Sequence, residues 1–192
     1  MEHYIEIQLL PDPEFPTTLL MNALYSKLHR VLVQHKELNI GIGFPHYQFA
    51  DKANKIKATL GDVLRLHGVE KDLQIILDSD WLIGMRDHTQ VSKNIYEIPL
   101  RCEFVIFKRV QAKSNVEKIR RRYAKRHPDA KSIELLFPES IEERLDLPFV
   151  RIKSQSTGEQ FRLHIKKILV SEKVSGEFSK YGLSATATVP LF

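Results

Sequence analysis

An α+β fold is predicted for this chain, and three features of the sequence predict it. Short runs near the start, middle and end alternate polar and apolar residues with a period of two. Between them, apolar residues recur at helical spacing. The strand-like and helix-like runs follow one another in an order that a parallel α/β sheet does not require.

The first run, His3 to Leu9, sets Tyr4, Glu6 and Gln8 against Ile5, Ile7 and Leu9, the pattern of a half-buried strand. Pro16-Thr17-Thr18 then opens a helix whose apolar positions Leu20, Ala23, Leu24, Leu28, Val31 and Leu32 repeat up to about His35. Ile40 to Pro45 reads as a second strand stopped by the proline. Its Gly41-x-Gly43 lacks the third glycine and the following helix of a nucleotide-binding loop. Val63 to His67 supplies a third strand, Glu70 to Asp80 a second helix and Thr89 to Ile98 a further extended segment. The succession is βαββαβ, the pattern of a ferredoxin-like domain, here expected over residues 1–100. That scaffold serves many functions and fixes none.

Residues 101–192 have a different texture and are expected to form a smaller α+β domain. Cys102 to Lys113 alternates as a strand, Ser114 to His127 is a very basic helix, and Ser132 to Leu145 is an amphipathic helix broken near Pro138. Strands are expected around Phe149 to Ser154, Phe161 to Lys167 and Glu177 to Ser184.

With 192 residues, 43% of them hydrophobic and 28% charged, the chain has the composition of an ordinary folded protein that buries a real core. Its beginning lacks the basic and apolar regions of a signal peptide, and no stretch is long and apolar enough to span a bilayer, so a cytoplasmic protein is expected. The single Cys102 forms no intrachain disulfide and sits in an alternating run, where a packed strand cysteine is the reading. His3, His35, His46, His67, His88, His127 and His164 show no ligand-like spacing, and no metal or cofactor is assigned.

Charge distribution says more than the net +5. KSNVEKIRRRYAKR, from Lys113 to Arg126, carries Lys113, Lys118, Arg120, Arg121, Arg122, Lys125 and Arg126, opposed only by Glu117. Ser114 and Glu117 form a capping-box pattern at the helix start. At 3.6 residues per turn Lys118, Arg121, Arg122, Lys125 and Arg126 share one side, leaving Ile119 and Tyr123 for the core. Like charges at i,i+4 weaken a helix, so the arrangement makes physical sense when a polyanion relieves it. Arg109 and Gln111 lie on the strand leading in; Arg matches a guanine edge and Gln an adenine edge.

Several segments together resemble one family, the CRISPR repeat-processing endoribonucleases of type I-F systems, the Csy-four type of the Cas-six superfamily. They are HYIEIQLLPDPEFP (His3 to Pro16), SKLHR (Ser26 to Arg30), RVQAKSN with IRRR (Arg109 to Asn115, Ile119 to Arg122), LPFVRIKSQSTGEQF (Leu147 to Phe161) and YGLS (Tyr181 to Ser184). They span nearly the whole chain in the family's order. The resemblance implies a ferredoxin-like N-terminal half and an arginine-rich helix that docks in the major groove of a CRISPR repeat hairpin. It makes Arg109 and Gln111 the base-reading pair near the foot of the stem. Arg122 and Arg126 become RNA-contacting residues, with Lys118, Arg121 and Lys125 on the same helix and Ser156 and Thr157 in the polar turn. Phe161 becomes the aromatic that stacks on the terminal base pair. The catalytic positions it implies are His29 and Ser154, with Tyr181 in support. Three positions depart from the family pattern: Lys125 stands where an arginine is common, Val116 where a proline is frequent, and Leu191 where a Trp is often next to last.

RNA can be cut by its own 2′-hydroxyl once a base removes the proton, and imidazole has a suitable ordinary pKa of about 6.5. His29, at the border of the apolar stripe, is the candidate base, with protonation of the leaving 5′-oxygen as the alternative. Ser154 would hold the attacking hydroxyl, and Tyr181 would orient the imidazole or the phosphate. The expected products are a 2′,3′-cyclic phosphate and a 5′-hydroxyl, made without metal. By themselves a lone helical His and a polar turn from Lys153 to Gly158 are ordinary surface features; the resemblance gives them these roles. The implied partners are the repeat hairpin, kept as the 3′ end of the mature RNA, and other subunits of a type I-F surveillance complex. A non-catalytic RNA-binding subunit and a DNA-binding regulator are the competing classes.

Overall fold

A computed structural model describes residues 1–111, 116–130, 132–137, 145–153 and 158–192, and the backbone alone at positions 117 and 118. The chain gathers into two compact units, Met1–Arg109 with Leu147–Phe192, and Val110–Asp146.

The larger unit holds two sheets. β1 (His3–Leu9) is followed by α1 (Thr17–Gln34), β2 (Gly41–Gly43), β3 (Val63–Gly68), α2 (Glu70–Asp78), β4 (Thr89–Val91) and β5 (Tyr96–Glu97). These strands pair antiparallel in the order β2-β3-β1-β4, with β5 also on β1. The βαββαβ succession is therefore present, and each helix joins strands that have another strand between them. The extended segment expected from Thr89 to Ile98 is two short pieces. The chain bends between them, where Ser92 N–H donates to the Glu6 carbonyl at 2.9 Å and Ser92 Oγ accepts from Glu6 N–H at 2.9 Å.

The second sheet, ordered β7-β8-β6-β9, is built from β6 (Glu103–Val110), β7 (Phe149–Lys153), β8 (Gln160–Val170) and β9 (Val189–Leu191). α1 packs against both β1 and β7. It buries Leu20, Met21, Leu24, Tyr25, Leu28, Val31 and Leu32 among inward residues that include Ile5, Ile7, Leu66, Val150, Ile152, Leu163 and Ile165. Each such side chain contributes about 1.5–3 kcal/mol. α1 begins where Leu19 and Leu20 N–H bond the Pro16 carbonyl, and it ends at His35, whose N–H returns to the Val31 carbonyl. Cys102 is half-buried just before β6 rather than within it.

The strand expected from Glu177 to Ser184 is absent; those residues make a turn. Ser179 N–H donates to the Leu183 carbonyl at 2.9 Å and Gly182 N–H to the Ser179 carbonyl at 2.7 Å, so the segment closes on itself instead of pairing. Gly182 has φ of +67°, and a Cβ there would meet Ile42 Cγ2 at 2.6 Å, so glycine alone fits. The chain's last strand is β9.

The smaller unit contains α3 (Val116–Arg126) and α4 (Ile133–Leu136). Ser114, the expected cap, lies outside the described residues, as does 138–144 of the expected helix from Ser132; Leu145 is not helical. Tyr123 packs its ring on His127 and Phe137, at centroid distances of 4.4 and 5.2 Å. Arg120 Nε donates to the Phe137 carbonyl at 2.9 Å, a favourable place for a cation just past the end of a helix. No helix of the described residues is long and apolar enough to cross a membrane.

Candidate active site

Residues four apart on a helix lie on one face, so Tyr25 and His29 of α1 point the same way. Both meet the turn that carries Tyr181. Tyr25 is fully buried, and its hydroxyl donates to the Tyr181 carbonyl at 2.7 Å. His29 is half-buried, and its Nδ1 lies 2.7 Å from the Lys180 carbonyl. A carbonyl only accepts, so Nδ1 carries the proton and Nε2 is the nitrogen left to take one up. The Tyr181 ring stacks on the imidazole, with centroids 4.3 Å apart and planes 10° from parallel.

The turn is itself tied down. Ile42 N–H donates to the Gly182 carbonyl at 2.9 Å, linking it to β2, and Ser184 N–H donates to the Phe107 carbonyl at 3.2 Å, linking it to β6. Ser179 Oγ adds a 2.8 Å bond to the Leu183 carbonyl. Burial, helped by the nearby Tyr181 and opposed by Arg109, raises the Tyr25 hydroxyl well above its ordinary value, so it remains a donor at any working pH.

Arg109, near the end of β6, extends its guanidinium towards two rings. Its Cζ is 5.6 Å from the Tyr181 ring centroid and 5.5 Å from that of Phe161 on β8. Both distances permit cation–π attraction. His29, Tyr181, Arg109 and Phe161 are thus brought together from one helix, one turn and two strands: an imidazole, a fixed cation and an aromatic face, the groups needed to meet a phosphate beside a base.

Ser154, Ser156 and Thr157 lie outside the described residues; β7 ends at Lys153, directly before them. In the smaller unit Gln111, Arg121, Arg122, Lys125 and Arg126 are exposed, whereas Ile119 and Tyr123 are half-buried, so the expected division of the basic helix into two sides is present. The Lys118 side chain lies outside the described residues. Among the described residues no group of three or more His, Cys, Asp and Glu side chains could hold a metal ion.

Sequence reading missed Tyr25 and the Lys180 carbonyl. The i,i+4 spacing of Tyr25 and His29 was the available signal; the carbonyl had none.

The chain matches known proteins over its whole length. The family model described as CRISPR-associated protein (Cas_Csy4) covers residues 4–192. A CRISPR-associated endonuclease Cas6/Csy4 of Pseudomonas aeruginosa (strain UCBPP-PA14) is 40% identical over 194 residues, with all of both chains covered. Another of that name, from Escherichia coli (strain UTI89 / UPEC), is 42% identical over 195 residues, again over all of both chains. With a family model spanning β1 to β9 and relatives aligned end to end, this chain belongs to the Csy4 family of CRISPR-associated proteins.

Proposed function

We propose that the chain is an endoribonuclease that binds the stem-loop of a CRISPR repeat and cleaves the precursor RNA at the foot of the stem. Family membership and the endonuclease names of its relatives support the activity class. The observation that carries the chemistry is His29 held between the Lys180 carbonyl and the Tyr181 ring, beside Arg109 and Phe161.

In the proposed reaction Nε2 of neutral His29 takes the proton of the 2′-hydroxyl. The freed oxygen attacks the adjacent phosphorus, the bond to the 5′-oxygen breaks, and the leaving oxygen picks up a proton from solvent or from the imidazolium. A 2′,3′-cyclic phosphate and a 5′-hydroxyl result, with no metal in any step. The Nδ1–H bond to the Lys180 carbonyl leaves Nε2 facing the reaction, where it takes the 2′-hydroxyl proton as base or, as the alternative, gives one to the 5′-oxygen as acid. Ser154 holds the 2′-hydroxyl, and Tyr181 fixes the ring plane. Phe161 stacks on the last base pair, while Arg109 and Gln111 read bases near it. Lys118, Arg121, Arg122, Lys125 and Arg126 hold phosphates along the stem, with Ser156 and Thr157 as further RNA contacts. His29 lies in 1–100, and the RNA-holding residues lie in 101–192 together with Ser154 and Tyr181. After cleavage the protein stays on the 3′ hairpin as a subunit of a type I-F surveillance complex in the cytoplasm.

The test is to incubate the protein with its repeat RNA in a chelator and to resolve the fragments. Two fragments with cyclic-phosphate and 5′-hydroxyl ends are expected, and none when the scissile nucleotide is 2′-deoxy. Intact RNA bound tightly would make the chain a non-catalytic hairpin-binding subunit, and cleavage that needs added Mg²⁺ would sink the metal-free mechanism. Equal affinity for the DNA hairpin would favour a DNA-binding regulator.

A further inference from the structure

The outer face of the β7–β8 hairpin is built against its own stability. In the antiparallel register Arg151 faces Arg162 directly, Phe149 faces His164 and Lys153 faces Gln160. Side chains directly opposite on one face sit about 5 Å apart at Cβ, where like charges repel. Arg151, Lys153, Arg162 and Lys166 are all exposed, while the alternate residues Val150, Ile152, Leu163 and Ile165 are buried, so the four cations share one solvent-facing surface. Among the described residues none of the four has a carboxylate partner within ion-pair distance. The same surface carries aromatic groups. Phe149 and His164 pack ring to ring at 5.3 Å, and the Arg162 Cζ lies 5.1 Å from the Phe149 ring centroid.

Opposed cations beside a ring pair suit a flexible polyanion with bases to stack, that is, single-stranded nucleic acid. The position suits it too. Phe161 precedes Arg162 on β8 and faces the other side of the sheet, so the aromatic proposed to stack on the last base pair and one of the cations are consecutive residues of one strand.

We propose that the outer face of β7–β8 binds the single-stranded RNA that flanks the repeat stem, with Arg151, Arg162, Lys153 and Lys166 on its phosphates and the Phe149–His164 pair beneath a base. This rests on the reading that the chain binds the repeat stem-loop, and it adds a second contact surface to that reading.

The experiment measures the affinity of the full-length protein for the minimal repeat stem-loop and for the same stem-loop with single-stranded flanks on both sides, each 2′-deoxy at the scissile nucleotide so that the RNA stays whole, over a range of salt. The wild type is expected to bind the flanked RNA more tightly. R151E/R162E is expected to lower affinity for the flanked RNA about tenfold, to leave the minimal stem-loop within about twofold, and to reduce the salt slope for the flanked RNA by about 1.4, two single-strand phosphate contacts. A wild type that binds the stem-loop but gains nothing from flanks overturns the proposal alone; a wild type that does not bind the stem-loop overturns the underlying reading. Loss of a polyglutamate interaction in R151E/R162E, with RNA binding unchanged, overturns it in favour of an acidic protein partner. R151T guards against mere misfolding: removing one of two opposed charges is expected to raise the thermal midpoint by about 1–3 °C while weakening flank binding. A lower midpoint for R151T would mean that the arginine serves the fold, and would overturn the proposal.

Discussion

Tyr25 and His29 stand one helical turn apart on α1, and their side chains bond the carbonyls of two consecutive residues, Tyr181 and Lys180, each at 2.7 Å. One helix face thereby fixes both the backbone of the turn and the tautomer of the imidazole stacked on it.

Removing the imidazole separates chemistry from binding. His29→Ala is expected to abolish cleavage, by a factor of at least about 10³ if it supplies the base, and to leave hairpin affinity within about threefold. Single-turnover cleavage and a gel-shift titration check both halves. A large affinity loss would make His29 a binding or folding residue.

Tyr25→Phe deletes only the hydroxyl, because the ring keeps its stacking partner Phe44 at a centroid distance of 6.4 Å. The Tyr181 carbonyl then loses a buried partner, at a cost of about 1–2 kcal/mol, read as a lower denaturant midpoint with an unchanged slope. Cleavage should drop only a few-fold, since the Lys180 carbonyl still holds His29. Complete loss of cleavage would show that the turn collapses without that bond.

Arg122 is exposed on α3 with no hydrophobic role. Arg122→Ala is expected to weaken hairpin binding and to reduce the salt slope by about 0.9, one duplex phosphate, while maximal cleavage at saturating protein stays within about threefold. An unchanged slope would argue that Arg122 reads a base or touches no RNA.

His67 ties stability to pH. It is fully buried, neither ring nitrogen has a partner among the described residues, and burial, aided by Arg65 and the N-terminal amine, lowers its pKa to about 3. The unfolded chain takes up a proton near pH 6.5 that the folded chain refuses until about pH 3, so stability falls as pH drops through this window. About 2 kcal/mol should be lost between pH 7.5 and pH 5, at about 1.4 kcal/mol per unit below 6.5. Asp12 and Asp62 are held below their ordinary 3.8, Asp12 chiefly by the backbone N–H of Phe15 and Asp62 chiefly by His46 against the opposing effect of burial, so their contributions fade only at lower pH. Denaturant melts at several pH values check the curve. His67→Leu should flatten it between pH 7 and 5, and an unflattened curve would place the titration elsewhere.

Local patterns carried most of the fold. The alternation of Ile5, Ile7 and Leu9 and the helical spacing from Leu20 to Leu32 both survive in the structure because each depends on one buried face. The strand expected from Val63 to His67 is also present as β3, but it buries both faces, with all six residues buried, Arg65 and His67 included. Alternation would send those two to solvent, but the Tyr4 and Phe192 rings cover Arg65, with centroids 5.1 and 3.8 Å from its Cζ, and Glu6 pairs with it at 2.7 Å. Local pattern failed at Glu177 to Ser184: its apolar residues suggest a strand, yet Gly182 allows the reversal that ends one. At the candidate site, His29, Phe161 and Tyr181 were legible only through family resemblance, whereas Arg109 also stood out on the strand leading into the basic helix. Their convergence joins residues up to 152 positions apart, from His29 to Tyr181, which no local pattern encodes.

The acceptor that orients the imidazole is main chain, and this hides it from genetics. Lys180→Ala removes the amine, with its bond to the Lys36 carbonyl, but keeps the main-chain oxygen, so an alanine survey would not test the group that sets the tautomer of His29. Altering that group means reshaping the peptide path itself, and Gly182, with its left-handed backbone, is the position where a single added methyl group does so.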